Sequence, residues 1–330
     1  MDIWNIFDTE WVPVGTWIDQ VLNWLVSDYR FVFQAIKVPF DIVLSALEDG
    51  LTGVPDLLML VIITLIAWQA GGRRVATVAT LSMLSIGLMG AWEESMTTLS
   101  IVLTCVFFCA LAGLPLGIAS ARSDRVWNWV RPALDLMQTI PSFVYLVPVV
   151  MLFSIGNVSG VIVTFIYALP PLVRLTNLGI RQVRPDMVEA ARAFGATKQQ
   201  TLWKIELPLA MPTIMAGVNQ TIMMALSMVV VASMISVTGL GQMVLRGIGR
   251  LDMGLASVGG LGIVFLAIMI DRISQSLGQP SRERGHKRWY RTGPVGVVTG
   301  LFVSRATPAT PNKNTADTPP DSKKTGKTQA

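Results

Sequence analysis

Histidine occurs once in this chain, at His286, and cysteine twice, at Cys105 and Cys109. A lone histidine in a basic tail cannot anchor a histidine-dependent active site, and two thiols make a poor metal site. The cysteines lie four residues apart in an apolar run, where a disulfide would distort a helix, so they are expected as small packing side chains. Charge is also scarce, with only 14% of the 330 residues Asp, Glu, Lys or Arg. No Gly-x4-Gly-Lys-Ser/Thr loop is present to cradle ATP phosphates. Gly239-Leu240-Gly241 and Gly247-Ile248-Gly249 have no strand before them, so they read as packing and turn glycines of a loop rather than a dinucleotide site. No nucleophile elbow, metal-ligand spacing or aspartate-rich site is found. These gaps argue against an enzyme and against a cofactor or metal bound by this chain. If ATP drives its work, with Mg, another polypeptide must bind it.

What the chain has instead is apolar length. It is 52% hydrophobic, its mean hydropathy is +0.55, and runs near 20 residues recur, the length that crosses a hydrocarbon core about 30 Å thick. The expected fold is all-α, a polytopic membrane protein with about seven transmembrane helices near 54–70, 75–92, 97–120, 133–154, 159–179, 210–237 and 255–271. The organisation follows: an N-terminal region 1–53, two accessory spans in 54–92, a five-span core 93–275, a basic segment 276–304 and a tail 305–330. That tail, rich in Pro, Thr, Lys and Ala, is expected to be disordered. In the N-terminal region, Ile18, Val21, Leu22 and Leu25 form one apolar stripe and Phe40, Val43, Leu44 and Leu47 another. With Trp4, Trp11, Trp17 and Trp24 nearby, these are expected as amphipathic helices, either at the lipid interface or as a cap on the spans, with Thr16 and Asp19 placed to cap the first. The first 50 residues lack a basic stretch followed by an apolar core, so insertion is expected through the spans themselves.

The net charge of +5 does not point to nucleic acid, because the basic residues sit in short loops between spans. Arg73–Arg74, Arg122–Arg131, the loop from Arg181 to Lys204 and the tail from Arg282 to Arg291 fall on one side if there are seven spans, and this side is cytoplasmic by the positive-inside bias. The N-terminus is then outside, with eight carboxylates against Arg30 and Lys37, and the C-terminus inside. The loop 238–254 opposes the bias mildly, carrying Arg246 and Arg250 outside against Asp252.

Several spans hold more than lipid contact requires. Gly113-x3-Gly117 makes a small-residue notch. Gln138, Thr139, Ser142 and Tyr145 mark the fourth span and Asn219 and Gln220 the sixth. An amide facing lipid would lack partners, so these six line a pathway or pair helix to helix. Arg174 is placed to snorkel to the cytoplasmic interface.

The most informative stretch is Arg184–Pro208, RPDMVEAARAFGATKQQTLWKIELP, the longest polar interval between two apolar segments. Pro185 suits a first helical position, and Asp186 and Glu189 put negative charge near that helix's positive end. Val188, Ala191 and Phe194 share a side. Gly195 ends the helix, Thr197 and Gln200 form a capping box for a second, and Pro208 is expected to end that one. A helix–glycine elbow–helix held between two spans is a rigid bracket suited to transmitting force, and spans on both sides exclude a DNA-binding helix-turn-helix.

Glu189-Ala190-Ala191, then Gly195, then nine residues to Ile205-x-Leu207-Pro208, matches without a gap the signature of ABC importer permeases. Beyond the loop, residues from about 16 to 300 resemble the permease subunit of glycine betaine/proline betaine importers, most strongly over 131–153, 208–230 and 239–256. The resemblance implies a type I ABC importer permease fold in a bacterial inner membrane, a permease homodimer, two ATPase subunits and an extracytoplasmic substrate-binding protein. It implies that Glu189, Ala190, Ala191, Phe194, Gly195, Leu202, Ile205, Leu207 and Pro208 couple the chain to the ATPase, with Phe194 and Leu202 filling hollows in the motor surface. It implies ATP-driven uptake of a compatible solute, with choline and carnitine as competing substrates. An osmotically gated channel would suit polar-lined helices but leaves this loop unexplained, and a secondary transporter would need central intramembrane carboxylates that spans two to six lack.

Overall fold

A computed structural model of the protein describes residues 13–278. His286, the basic segment beyond 278, the Pro/Thr tail, Trp4 and Trp11 lie outside the described residues. Among the described residues every regular element is a helix.

Two helices precede the first long apolar run, α1 (Val14–Asp28) and α2 (Arg30–Thr52). No side chain caps α1; Pro13 stands at its start and Thr16 lies inside the first turn, so the expected Thr16 cap is not made. α1 buries none of its residues. α2 packs across α4 (Trp92–Arg122), α6 (Leu146–Phe153) and α7 (Asn157–Arg181), burying Phe40 and Leu44. Phe40 stacks on Phe108 at 3.9 Å between ring centroids and meets Phe165 edge-on, and Phe33 meets Phe153 edge-on. The N-terminal region therefore divides, α2 being the cap on the bundle while α1 keeps an open apolar stripe of Trp17, Ile18, Val21 and Trp24.

Among the described residues, five helices are by length and composition long and apolar enough to cross a membrane, or six if the bent pair near residue 140 is one span. α3 (Asp56–Leu88) takes in two of the seven expected spans as two limbs either side of a reversal. Gly72 sits at φ 75°, ψ −169°, a conformation open to glycine but barred to a Cβ-bearing residue. The limbs on either side fold back on each other. Thr64 Oγ1 and Thr80 Oγ1, 16 residues apart, lie 2.8 Å from one another, where a straight helix would hold them about 24 Å apart. Each limb is itself about 24 Å long, short of the ~30 Å hydrocarbon core.

The centre of the bundle is α7 (Asn157–Arg181), clasped between α4 (Trp92–Arg122) and α10 (Leu207–Ala232). Small residues permit the close approach. A Cβ on Gly113 or Gly117 of α4 would press on Leu169, Leu172 or Thr176 of α7, and one on Gly179 of α7 or Gly217 of α10 would press on the opposite helix. Outside this trio, α12 (Met253–Gly278) packs on α3, α10 and α11. Cys105 and Cys109 stay free and buried, as their spacing predicts.

The expected span 133–154 is not a single helix. α5 (Asp124–Thr139) and the segment Ser142–Phe153, which includes α6 (Leu146–Phe153), meet at 102°. Pro141 causes the break: it cannot donate to the ladder, and it holds Ile140 extended at ψ 130°. α5 also carries Asp124, Arg125, Arg131 and Asp135, more charge than a lipid-facing helix tolerates. A second correction concerns 238–254, expected as a loop, which contains α11 (Leu240–Arg250). Glycine lowers its helix propensity, but Gly241 and Gly247 are buried against α10 and α12, and that packing outweighs propensity.

Contacts sort the helix ends onto two sides. On one, Arg122 donates to the Lys198 carbonyl, Arg181 reaches the Ser120 carbonyl and Asp124, and Gly71 abuts Ser276. On the other, Asn157 clamps Thr238 and Thr98 accepts from the Leu240 amide. Near that side Burial raises the Glu48 carboxyl above its ordinary range, the Asp49 charge adds to this, and the Thr97 hydroxyl partly offsets both.

Candidate functional site

The bracket at 184–208 is built almost wholly by its own backbone. α8 (Pro185–Ala193) starts on Pro185, where the missing amide costs nothing, and Asp186 takes an ion pair from Arg184 at 2.6 Å. Its end is a Schellman closure: the Gly195 amide donates to the Arg192 carbonyl at 2.9 Å and the Ala196 amide to the Ala191 carbonyl at 3.0 Å. This wrap requires Gly195 at φ +82°. The capping box then forms in full: the Thr197 amide donates to Gln200 Oε1 at 2.9 Å, and the Gln200 amide to Thr197 Oγ1 at 3.3 Å, opening α9 (Lys198–Thr201).

Pro208 does not end the second helix. A π-turn over Leu202–Glu206, closed by the Leu207 amide on the Leu202 carbonyl, carries α9 straight into α10. Proline is tolerated in the first turn of α10, where its missing amide is of least consequence, so the bracket and the apolar helix behind it form one continuous lever of residues 198–235.

The signature residues face different ways. Ala191 is buried and Val188 half-buried, but Phe194, expected on their side, stands 93% exposed at the elbow. Glu189 and Ala190 are exposed, while Ile205 and Leu207 are half-buried and Pro208 is exposed. Leu202 corrects its expected role: it is 4% exposed, packed with Ile180, Ala210 and Ile214, so it braces the bracket from within and cannot fill a hollow in another protein. The outward apolar side chain that sequence reasoning passed over is Trp203, 67% exposed. The signal available for it was position, one residue on from the inward Leu202.

Behind the bracket lies a cleft of about 460 Å³ between it and the ends of α4 and α7. Arg122, Arg181, Arg192 and Lys198 line it together with Glu189 and Glu206. Arg181 is committed to Asn177, Ser120 and Asp124. Glu189, Arg192 and Glu206 have no ion pair among the described residues, so the bracket presents uncompensated charge of both signs.

The six polar residues expected on a pathway separate. Asn219 belongs to a helix-to-helix network: it donates to Asp271 at 3.1 Å and accepts from Ser274 at 2.6 Å, while Gln275 holds the same carboxylate. It pairs α10 to α12 and is withdrawn from pathway lining, because Asp271, near the edge of the seventh apolar run, supplies the partner that sequence alone did not assign. Gln220 is exposed on α10. Gln138 contacts Met224 Sδ at 3.8 Å, and the hydroxyls of Thr139 and Tyr145 both donate to the Leu136 carbonyl, with Ser142 half-buried beside them. Four of the six thus gather at the 102° break. Arg174 reaches Asp135 at 2.5 Å instead of extending to an interface.

Residues 113–279, which take in the bracket, the clasp of α4 on α7 and the network at Asn219, match the model of the family described as binding-protein-dependent transport system inner membrane component. The chain belongs to that family. It is 56% identical over 92% of its length, and 85% of the relative's, to the glycine betaine/proline betaine transport system permease protein ProW of Escherichia coli K12. It is 39% identical over 83% of its length, and 98% of the relative's, to the glycine betaine transport system permease protein OpuAB of Bacillus subtilis. To the glycine betaine/carnitine permease GbuB of Listeria monocytogenes it is 40% identical, over 82% of its length and 97% of the relative's. Among solved structures, a chain of the inward-facing MetNI methionine ABC transporter is similar at 23% identity and a TM-score of 0.49, over 55% of this chain and 92% of that one. Family membership makes the chain a multi-pass inner-membrane component that works with a binding protein.

Proposed function

We propose that this chain is the transmembrane subunit of an ATP-driven importer that carries glycine betaine and proline betaine across the inner membrane. The observation that carries the reading is the bracket: a self-closed elbow, continuous with α10, presenting Phe194 and Trp203 outward beside unpaired Glu189 and Arg192. Such an element suits a groove on a separate ATPase subunit. Glu189, Ala190, Phe194, Gly195 and Pro208 would form the contact, with Ala191, Leu202, Ile205 and Leu207 holding its shape. With the positive bracket side in the cytoplasm, residues 1–53 lie outside and the C-terminus inside.

Two ATPase subunits closing on ATP would draw two such brackets together, which calls for a homodimer about a two-fold axis. Leu136 is exposed on the helix of Gln138 and Thr139, Met223 on that of Gln220, and Phe143 and Val147 on the segment past the break, surfaces suited to a second copy and a pathway between the two. Tilting of the α9–α10 lever would open that pathway outward for the loaded binding protein, and hydrolysis would reset it. Substrate choice rests on the names of relatives at 56% and 57% identity. The test is uptake into proteoliposomes holding the chain, its ATPase and its binding protein. Glycine betaine should accumulate with ATP and choline should not; choline or carnitine taken up in preference would reassign the substrate, and solute flux without ATP would instead favour a channel.

A further inference from the structure

Of the five long apolar helices, α3 buries the smallest share of its apolar stretch inside the chain. Its first limb turns Leu58, Val61 and Leu65 outward, three and four residues apart, and its second turns out Leu81 and Leu84. Rows of this kind suit acyl chains. Each limb also stops about 6 Å short of a hydrocarbon core about 30 Å thick. A hairpin entering from one face of the bilayer therefore brings its tip to just inside the other.

That tip is cationic. Arg73 and Arg74 follow the Gly72 reversal directly and both are exposed. Neither side chain has a hydrogen bond or an ion pair among the described residues. α12 adds a third cation. A Cβ on Gly71 would stand 2.8 Å from Ser276 Cβ, which sets the end of α12 against the tip. Arg272, one turn before Ser276, is exposed and has no ion pair among the described residues either. The carboxylate next to it, Asp271, is taken by Asn219 and Gln275. Guanidinium groups at the end of an apolar row are costly in hydrocarbon, so they snorkel to the level of the headgroups. There the planar fork of arginine matches two oxygens of a phosphate.

We propose that Arg73, Arg74 and Arg272 at the tip of the α3 hairpin bind the headgroup of an anionic phospholipid, whose acyl chains lie along the outward rows of the two limbs. Two features favour lipid over a protein partner. α12 stands between the tip and α10, since Ser276 meets Gly71 and Gly278 meets Met215, so an ATPase seated on the bracket is screened from the tip. A second copy joined through the same hairpin would set two cationic tips side by side, where like charges repel. The proposal stands apart from the importer reading and needs only that α3 lies in the bilayer.

The test uses the full-length chain with its ATPase in phosphatidylcholine vesicles doped with spin-labelled lipid, and reads the motionally restricted fraction. Spin-labelled phosphatidylglycerol should be held about fivefold more strongly than spin-labelled phosphatidylcholine. Arg73→Gln/Arg74→Gln should bring the two lipids nearly level. Arg125→Gln, at an exposed arginine on α5, should leave the preference intact and so separates a site from general positive charge. No preference in the wild type, a preference that survives the double variant, or an equal loss in Arg125→Gln overturns the proposal. Inorganic phosphate should not displace the lipid; displacement would make the tip a site for free anions instead. A photo-crosslinking side chain at position 77, whose threonine hydroxyl donates to the Arg74 carbonyl, should capture lipid, and capture of the ATPase or of a second copy alone counts against it. Should the double variant fail to insert, Arg73→Gln and Arg74→Gln are made singly. Each should lower the preference, and no change in either removes the site.

Discussion

The bracket at 184–208 and the broken segment at 124–153 both interrupt the apolar helices with polar residues, yet their bends are made in different ways. The bracket is closed by hydrogen bonds spanning three to five residues, at Gly195, Ala196, Thr197 and Gln200. The broken segment bends at Pro141, but it is tied down by groups remote in sequence, Arg174 on Asp135 and Gln138 on Met224. A device that passes force between proteins gains from being stiff by itself. One that opens and shuts a pathway gains from weak, replaceable ties.

The sharpest way to break this comparison is at the elbow. Gly195→Val should abolish ATP-driven uptake, because a β-branched residue resists φ +82°, whereas Gly195→Asn should keep a substantial part of it. A Cβ there meets nothing within 4 Å, so the loss would come from backbone strain alone; equal uptake by both variants would remove the elbow from the mechanism. Next comes Phe194→Ala, expected to weaken binding of the ATPase subunit by about 2 kcal/mol. Its melting temperature alone should stay near wild type, since the ring is 93% exposed; a large drop in melting temperature would make Phe194 structural.

In the broken segment the effects should be smaller. Asp135→Asn removes partners from Arg174 and Arg131, but these pairs are half-exposed, so about 0–1 kcal/mol is expected. That difference should fade as salt is raised, and a loss insensitive to salt would show that Asp135 acts by something other than charge. The smallest effect is at Glu48, which belongs to neither region and serves as a control. Its folded-state pKa lies above 4.5, so the folded protein binds the proton more tightly, and this contribution to stability is present at low pH and lost as pH rises through that window. Glu48→Gln should therefore flatten the slope of melting temperature against pH above the ordinary glutamate range and leave uptake alone.

How much could be read in advance follows the same division. The cap, the elbow and the capping box were legible because each is a rule about residues fewer than six apart. The glycine notch of α4 was legible as a notch, though only the fold shows that α7 fills it. Pro208 misled, because a proline ends a helix only when it falls in the interior, and the π-turn ahead of it places it in a first turn. Leu202 and Trp203 were interchangeable as apolar neighbours until Ile180, Ala210 and Ile214 were seen to enclose one of them.

Local chemistry thus settled from the sequence where the long apolar helices lie, where the bracket begins and turns, and to which family the chain is akin, since those depend on hydropathy, caps and spacing along the chain. Tertiary structure alone decided that Asn219 answers Asp271 and not a pathway, and that α11 forms despite its glycines. In each of these the deciding partner lies on another segment, and its energy is gained only once the two surfaces meet.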